Sequence, residues 1–500
     1  MLLRRLIGGI EMLNHLKNEA NIAYTENGAV TNASTMSDCL DLFATIGALR
    51  AADDQEIIRR FVRAYAEDAD IAMKILFFGR DVRGGLGERR VFRVIIRWLA
   101  ENRAASLRKN IALISEFGRY DDLVSLLGTA CEKDALRTIR RQLEADLASD
   151  AEVSLLAKWL PSINASNGET VCNAKRIARS LGMSDAEYRK TLAALRKKIR
   201  IIENHLREKD YSFDYAKQPS KAMFKYRKAF LRNDGARYHA FLEAVSSGEK
   251  QLHADSLAPY EIVRSALNAN RWGFNAVLTA GEKAALNASW ESLPDFCGSK
   301  NALAVVDTSG SMYCYDNALP AAVALSLGLY LGERNTGIFH NHFIEFSSRP
   351  QLIEIKGRTF TERLEYLCTF NEVADTNVEA VFNLILDAAV RNNVPQEDLP
   401  ETLYLISDMG FNSCVQNASV SNFANAKCRF AEHGYELPQI VFWNVASRNS
   451  NQPVTKNEQG VALVSGCTPR LFSMVASGDL SPYSVMMEII KSERYANISA

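Results

Sequence analysis

The sequence predicts a multidomain protein in which an α-helical array, residues 1–295, precedes a doubly wound α/β domain, residues 298–500. The chain has 500 residues, more than a single hydrophobic core usually serves. Apolar residues recur every three or four positions up to about residue 290, whereas short β-rich runs alternate with helical stretches after about Pro294. Residues 301–500 carry 13 Lys or Arg against 21 Asp or Glu, so the formal net charge of zero conceals a basic first part and an acidic second part.

The first part of the chain reads as a succession of amphipathic helices. In residues 184–202, Ser184 and Glu187 form a capping box, and leucine and isoleucine side chains follow on one face. Almost no alternating strand pattern and no fixed repeat occur before residue 290, so we expect an irregular helical array. Similar amphipathic patterns predict helices within residues 88–103, 111–127 and 252–267.

The second part reads as strands alternating with helices. Such an order favours a mostly parallel sheet covered on both faces, with ligands bound at the carboxyl ends of its strands. The predicted strands are ALAVVD (302–307), HNHFIEFS (340–347), TLYLISD (402–408) and QIVFWNVAS (439–447). The predicted helices between them are residues 318–334, 377–393 and 420–434.

Five oxygen-bearing side chains lie at the ends of three of the predicted elements in the α/β domain. Asp307, Ser309 and Ser311 alternate directly after the first strand, Thr376 precedes a helix, and Asp408 follows a later strand. Two carboxylates and three hydroxyls form an all-oxygen set that suits a small hard cation, Mg²⁺ or Mn²⁺, which keeps water in its shell. We call these five residues the oxygen cage. The alternative is a domain whose loop serines only cap helices, or a cage that stays empty.

The D-x-S-x-S pattern, followed by Thr376 and Asp408, resembles the metal-ion-dependent adhesion site (MIDAS) of von Willebrand factor A domains. The resemblance covers roughly residues 298–500 and implies a Rossmann-like fold, a bound magnesium ion, and a protein partner that supplies an acidic ligand residue. Met409 stands where many members have glycine, and we expect it to alter ligand access more than metal binding.

The helical part resembles an uncharacterised family of plants, bacteria and phages in which a TROVE-like region of HEAT-like repeats precedes a von Willebrand A domain. The resemblance rests on residues 77–92, 155–162, 178–197 and 219–234. The same domain order occurs in the Ro autoantigen family of RNA-binding ring proteins. The resemblance implies a ribonucleoprotein component, a monomeric ring-like scaffold for non-coding RNA that is structured or single-ended, but it carries over no individual RNA contact.

Basic residues in the helical part give an independent reason to expect RNA. Lys221, Lys225, Lys228 and Arg232 recur at the helical period and would form one cationic stripe, which supplies phosphate contacts. Met223, Tyr226 and Phe230 would form a separate apolar face of the same helix. Further candidate RNA contacts are Arg80, Arg83, Arg89, Arg90, Arg189, Arg196 and Arg200, and tyrosines that could stack on bases are Tyr188, Tyr211, Tyr215 and Tyr226. The alternative is that the charged faces are only solvated and the tyrosines belong to the core.

Several classes of function lack their sequence motif. The chain has no G-x-x-x-x-G-K-[ST], G-x-G-x-x-G, H-E-x-x-H or G-x-S-x-G, which argues against an enzyme. No apolar run approaches the roughly 18 residues that span a bilayer, and the nine cysteines are scattered, so we expect a cytoplasmic protein with reduced thiols and no membrane contact.

Three hypotheses follow from the sequence. The first is a non-enzymatic RNA-binding scaffold with a magnesium-binding A domain for a protein partner. The second is a metal-dependent protein interaction adaptor with no RNA role. The third and weakest is a metal-dependent nuclease, which the missing general base near the cage disfavours.

Overall fold

A computed structural model describes residues 12–149, 152–199, 201–268, 273–298, 301–314, 318–346, 349–370, 376–413, 420–475 and 480–500. Two compact units are present, and they interleave along the chain. An α/β unit contains the described residues up to Ala52, Ala258–Leu278 and Pro294–Ile489. A helical unit contains Asp53–Leu257, Thr279–Leu293 and Ile490–Ala500. The predicted combination of a helical region with a later α/β sheet region is confirmed.

The α/β unit is built on a six-stranded mixed sheet in the order β5-β4-β3-β6-β7-β8. Neighbouring strands run parallel except for β4 and β5, which are antiparallel. The strands are β3 (Ala302–Asp307), β4 (His342–Phe346), β5 (Gln351–Glu354), β6 (Thr402–Ser407), β7 (Gln439–Asn444) and β8 (Val461–Ser465), and a separate hairpin consists of β1 (Ile22–Tyr24) and β2 (Val30–Asn32). The α-helices are Asp38–Phe43, Pro259–Ala266, Leu319–Arg334, Phe360–Leu367, Val378–Asn392, Asn422–Glu432, Arg470–Met474 and Pro482–Ile490.

Helices cover both faces of the central strand β3, and all six of its residues are buried. Val305 packs in a cluster with Val381 and Phe382 of the helix Val378–Asn392. On the other face, the helix Leu319–Arg334 approaches so closely that a Cβ at Gly328 would lie 2.4 Å from Val306 Cγ2. This sandwich explains why β3 reads as a continuous apolar run rather than an alternating one.

The hairpin of β1 and β2 was not predicted, because residues before about 290 were expected to be helical. Its strands pair antiparallel, with Tyr24 opposite Val30. The dipeptide Asn27-Gly28 lies in the connection, where Gly28 adopts a φ of 81°, and such a dipeptide is typical of hairpins. Thr25 Oγ1 donates to the carbonyl of Phe411 at 2.6 Å, so the hairpin packs within the α/β unit rather than the helical one.

The helical unit has two tightly packed regions. In one, Phe77 contacts Phe92 and Phe117 edge to face. In the other, aromatic side chains such as Tyr215 and Phe230 pack together. The α-helices of this unit are Asp54–Glu67, Ala69–Arg80, Arg89–Asn102, Ala104–Asn110, Ile114–Phe117, Tyr120–Val124, Glu132–Ala148, Leu156–Trp159, Gly168–Leu181, Asp185–Lys198, Ile202–Glu208, Ser220–Asn233, Gly235–Ser246 and Ala280–Glu291.

The helices predicted before residue 290 match the structure best where a capping motif and the spacing of apolar residues indicate the same start. The capping box of Ser184 and Glu187 is present at the start of Asp185–Lys198. The pattern over residues 111–127 was predicted as one helix, but it is divided into short segments with a break at Gly118. The helix predicted within residues 252–267 begins only at Pro259, because proline favours the first helical turn, and it belongs to the α/β unit rather than to the predicted helical region.

A C-terminal segment completes the helical unit, although residues 298–500 were predicted to form the α/β domain alone. Arg494 pairs with the buried Asp81, and the Tyr495 hydroxyl donates to the same carboxylate at 3.1 Å. Asn110 Nδ2 donates to the carbonyl of Ser499. A single cut at residues 295–301 therefore does not separate the two compact units.

Candidate metal centre and basic helix surface

The sheet topology places a crevice at the carboxyl ends of β3 and β6. From β3 the chain proceeds to β4 on one side, and later it returns to β6 and proceeds to β7 and β8 on the other side. Such a reversal of strand order opens a ligand crevice between the two strands concerned. Val306 pairs with Ile406, so Asp307 and Ser407 end neighbouring strands at the same level. Asp307 and Asp408 thus flank the crevice.

Ser407 holds the Asp307 carboxylate, and the sequence analysis missed this residue. Ser407 is fully buried, and its hydroxyl donates to Asp307 Oδ2. Ser407 Oγ also accepts the backbone N–H of Met409 at 3.0 Å. The sequence offered one indication, since a hydroxyl residue at the end of an otherwise apolar strand directly precedes Asp408.

The two serines of the first loop lie side by side. Ser309 N–H donates to Asp307 Oδ1 at 2.8 Å, which turns the chain back over the end of β3. Ser309 Oγ and Ser311 Oγ are 3.0 Å apart. Ser309 is buried and Ser311 is half-buried, so Ser311 is the more accessible of the two to solvent.

The loop after β6 bends sharply around Asp408. Gly410 N–H donates to Asp408 Oδ1 at 3.1 Å. Met409 adopts a φ of 66°, a left-handed conformation that costs a non-glycine residue about 1–2 kcal/mol. Its side chain is buried in the apolar cluster beneath the sheet end. The predicted effect of Met409 on ligand access stays a prediction, and the structure adds that its side chain belongs to the core.

Thr376 reaches the same end of the sheet from a third loop. It is 2% exposed, and its carbonyl accepts the N–H of Asn412 at 2.9 Å, which ties its loop to the loop of Asp408. Asn377 then caps the helix Val378–Asn392 by accepting from Ala380 N–H. Hydrogen bonds link Asp307 to Ser309 and Ser309 to Ser311, and Asp408 lies close enough for its charge to act on Asp307. A backbone contact joins the loop of Thr376 to the loop of Asp408.

The electrostatics of the cage fit a divalent cation. Burial and the nearby charge of Asp408 raise the pKa of Asp307 well above its ordinary value, since two carboxylates taken from water repel each other. A divalent ion would relieve that repulsion, and the donors are oxygen atoms alone. Among the described residues, no three His, Cys, Asp or Glu side chains form a metal-binding group. The cage accordingly depends on its hydroxyls as well as on its two acids.

The predicted basic stripe lies on the helix Ser220–Asn233. Lys221, Lys225, Lys228 and Arg232 are all exposed. Met223 and Phe230 are buried on the opposite side, as the period predicts, and Tyr226 packs partly against the same core. Lys228 pairs with Glu282 at 2.9 Å, so part of the charge of the stripe is already neutralised.

Arg80 does not belong to an exposed surface. Its side chain is 1% exposed and donates to Asp122 Oδ2 at 2.8 Å. Arg93 Nε donates to Asp122 Oδ1 at 2.7 Å. Arg80 therefore neutralises a carboxylate in the core of the helical unit. This burial corrects its assignment as a phosphate contact.

Arg196 also has a structural role. Its guanidinium donates to the carbonyls of Ala157 and Leu160 and to Ser162 Oγ, at 2.8–2.9 Å. These bonds engage all three nitrogen atoms of the guanidinium and fix the turn after the helix Leu156–Trp159, which corrects its assignment to an RNA surface. Arg200 lies outside the described residues.

The remaining predicted arginines are exposed. Arg83 and Arg189 face solvent, as do Arg89 and Arg90 at the start of the helix Arg89–Asn102. Arg90 pairs with Asp54 at 2.5 Å, which ties it to the earlier helix Asp54–Glu67. An open groove of about 720 Å³ runs beside these two helices and is lined by both arginines.

Two of the four tyrosines proposed for base stacking are core residues. The Tyr188 hydroxyl donates to the carbonyl of Pro161, and the Tyr215 hydroxyl donates to Asp234 Oδ2. Both side chains are at most 3% exposed, so neither ring presents a face to a base. Tyr211 and Tyr226 are half-buried against the same aromatic cluster.

Family models match most of the chain. The model described as "Domain of unknown function (DUF2828)" matches residues 25–148 and 133–297. The chain belongs to the DUF2828 family. A second model, "Domain of unknown function (DUF7788)", matches residues 301–488. In this DUF2828 protein the match to the first model ends at residue 297, and the match to the second begins at residue 301.

Two individual proteins are similar to this DUF2828 chain. "Uncharacterized protein L728" of Acanthamoeba polyphaga mimivirus is 27% identical over 513 residues, which cover 94% of this chain and 88% of that protein. The crystal structure of the Deinococcus radiodurans Ro (Rsr) protein aligns with a TM-score of 0.40 and 16% identity over 89% of this chain and 92% of its own. None of the described helices has the length and apolar character needed to cross a bilayer.

Proposed function

We propose that this protein is a non-enzymatic, monomeric RNA-binding scaffold of the cytoplasm, a Ro-like ribonucleoprotein component. Its α/β unit would be a Rossmann-like von Willebrand factor A domain that binds Mg²⁺ or Mn²⁺ for a protein partner. Its helical unit, a TROVE-like array of HEAT-like repeats, would bind the sugar-phosphate backbone of a structured or single-ended non-coding RNA.

The metal half of the proposal rests on the oxygen cage. Asp307, Ser309, Ser311, Thr376 and Asp408 would hold the ion, with Ser407 orienting the first carboxylate. Two acids against a divalent ion leave the site close to neutral, so that it can accept one acidic side chain from a partner. The ion would supply the positive charge that recognises that carboxylate.

The RNA half rests on the four exposed cations of the helix Ser220–Asn233. The opposite face of this helix is packed in the core, so the helix is held in place. Its four cations are therefore fixed in position on the exposed face, three or four residues apart. Ordered cations of this kind release counterions on binding RNA and therefore give a salt-dependent affinity. Arg83, Arg89, Arg90 and Arg189 would add further phosphate contacts.

The test of the RNA half is recovery of nucleic acid with the full chain. We expect RNA to co-purify at moderate salt, to disappear after RNase, and to rebind with an affinity that falls steeply as the salt concentration rises. Purified protein that carries no RNA and shows no salt-dependent affinity for any RNA tested would contradict the proposal.

A second candidate function is a metal-dependent adaptor with no RNA role. It is favoured by the ion pairs of Lys228 with Glu282 and of Arg90 with Asp54, which reduce the free charge of both basic regions. An adaptor would capture a protein partner in Mg²⁺, lose it in EDTA, and be unaffected by nuclease.

A further inference from the structure

The tip of the β1–β2 hairpin is bound to the loop that carries Asp408. Thr25 Oγ1 donates to the carbonyl of Phe411, and Asn27 Nδ2 donates to the carbonyl of Gly410, each at 2.6 Å. Gly28 also forms a backbone bridge with Asn412. These contacts hold the tip next to the oxygen cage.

A series of three charged side chains links the hairpin tip to the cage. Arg448 lies in the loop after β7 and directs its guanidinium to Asp408, with Nη1 3.4 Å from Oδ2. Its other terminal nitrogen, Nη2, is 2.6 Å from Oε2 of Glu26 in the hairpin tip. The Asp408 side chain is 1% exposed and the Arg448 side chain 24%, so water screens their interaction only partly.

The contacts of Arg448 with these two acids differ in length. A separation of 2.6 Å is that of a strong charge-assisted hydrogen bond, whereas 3.4 Å lies beyond the usual range. Of the two acids, Glu26 therefore holds the guanidinium more closely, and the Asp408 carboxylate keeps most of its capacity to bind a cation.

We infer that Arg448 is a positioning residue that sets the cation affinity of the oxygen cage, and that Glu26 acts through it by holding its charge away from Asp408. The inference rests on the proposed metal site. A guanidinium and a divalent ion compete for the same buried carboxylate and repel each other, so the affinity of the cage depends on where the guanidinium is held. The hairpin thereby couples the N-terminal part of the chain to metal binding.

The test is a titration of the full chain with Mn²⁺ alone, followed by calorimetry, for the wild type, Arg448→Met, Arg448→Lys, Glu26→Gln and the double variant Glu26→Gln/Arg448→Met. Removing the competing charge in Arg448→Met should tighten Mn²⁺ binding about tenfold. Arg448→Lys keeps the charge and should stay within about threefold of the wild type. Glu26→Gln should weaken binding about threefold to tenfold, because the short contact that holds the Arg448 guanidinium away from Asp408 is then lost.

The double variant separates an indirect role of Glu26 from a direct one. If Glu26 acts through Arg448, the double variant should bind Mn²⁺ as tightly as Arg448→Met. A Glu26→Gln effect that persists without Arg448 would overturn that part of the inference. Lys427→Met, which removes an exposed cation paired with Glu458 in the same unit, is the matched control and should leave affinity unchanged.

Failure of the inference can be told from failure of the metal site. Mn²⁺ binding that is lost in Asp307→Ala but is the same or weaker in Arg448→Met would overturn the inference and leave the site standing. A wild-type chain that binds no Mn²⁺ would overturn both. Circular dichroism identifies any variant that fails to fold, and Glu26→Gln and Arg448→Lys, at partly exposed positions, then still decide the outcome.

Discussion

The Ser407 hydroxyl donates to Asp307 Oδ2 across the junction of β3 and β6. It also accepts the N–H of Met409, so a single buried hydroxyl orients the first acid of the cage and the turn that presents the second. Asp307 and Ser407 come from different strands. They meet because β3 and β6 are neighbours in the sheet, at the point where the strand order reverses.

Ser407→Ala should weaken Mn²⁺ binding about fivefold to tenfold and lower the free energy of unfolding by about 1–3 kcal/mol, because a buried carboxylate loses a donor. Asp307→Ala should abolish binding. Calorimetric titration and urea unfolding measure the two effects. Ser326→Ala is the matched control, since this buried serine of the same unit donates only to the carbonyl of Val323. Unchanged affinity in Ser407→Ala would show that the hydroxyl has no part in the site.

Asp307 should make the stability of the metal-free protein fall as pH rises. Burial and Asp408 raise its pKa from 3.8 to about 7, so the native state binds a proton that the unfolded state has already released. The resulting loss of unfolding free energy is absent below about pH 4, grows between pH 4 and pH 7, and is complete above pH 7. Urea unfolding in EDTA at pH 5 and pH 8 should show the loss in the wild type and a smaller one in Asp307→Asn. Mg²⁺ should restore the lost stability at pH 8. If the unfolding free energy fell equally with pH in the wild type and in Asp307→Asn, Asp307 would not be the group responsible.

Reversing exposed charges of the basic stripe should weaken RNA binding and leave metal binding intact. Lys221→Glu, Lys225→Glu and Arg232→Glu are combined, and Lys228 is kept because a glutamate there would face Glu282. The affinity should fall by roughly tenfold to a hundredfold. The plot of log affinity against log salt concentration should become less steep, by about 0.7–0.9 for each phosphate that the variant no longer neutralises. Fluorescence anisotropy over a salt series measures both.

The control for the stripe is a triple reversal of exposed cations in the α/β unit, at Lys356, Arg391 and Lys427. It changes the net charge by the same amount. Equal losses of RNA affinity in the two triple variants would show that only total charge matters and would exclude the stripe as the binding surface.

Arg80 should matter for folding rather than for RNA contact. Arg80→Ala leaves the buried Asp122 with one fewer cation and should cost about 3–5 kcal/mol of stability. Arg83→Ala, three positions later on the exposed surface, should cost less than about 0.5 kcal/mol. Thermal unfolding compares the two. A stable Arg80→Ala protein with weakened RNA affinity would instead favour Arg80 as a phosphate contact.

The sequence predicted those parts of the cage that depend on local pattern. Asp307, Ser309 and Ser311 follow an apolar strand at alternate positions, and Asp408 follows another, so strand ends alone suggest that they meet. Burial within the helical unit was harder to predict. Arg80 and Arg93 lie near each other in the sequence, yet only Arg80 is fully buried, and that depends on Asp122, which lies 42 residues later. The hairpin was missed because three-residue strands give almost no alternation, and Arg448 because its partners are distant in sequence.

The C-terminal segment should be required for the stability of the helical unit. Tyr495 is 2% exposed, and its ring lies 5.7 Å from that of Phe117. Arg494 neutralises the buried Asp81, and the Tyr495 hydroxyl donates a hydrogen bond to the same carboxylate. Tyr495→Ala should cost about 3–5 kcal/mol, whereas Tyr495→Phe, which removes only the hydroxyl, should cost about 1 kcal/mol. Limited proteolysis within residues 53–257 should accelerate in the alanine variant and in a chain that ends at residue 491. Protease resistance equal to that of the wild type would mean that the helical unit folds without this segment, and that its contacts with Asp81 add nothing to stability.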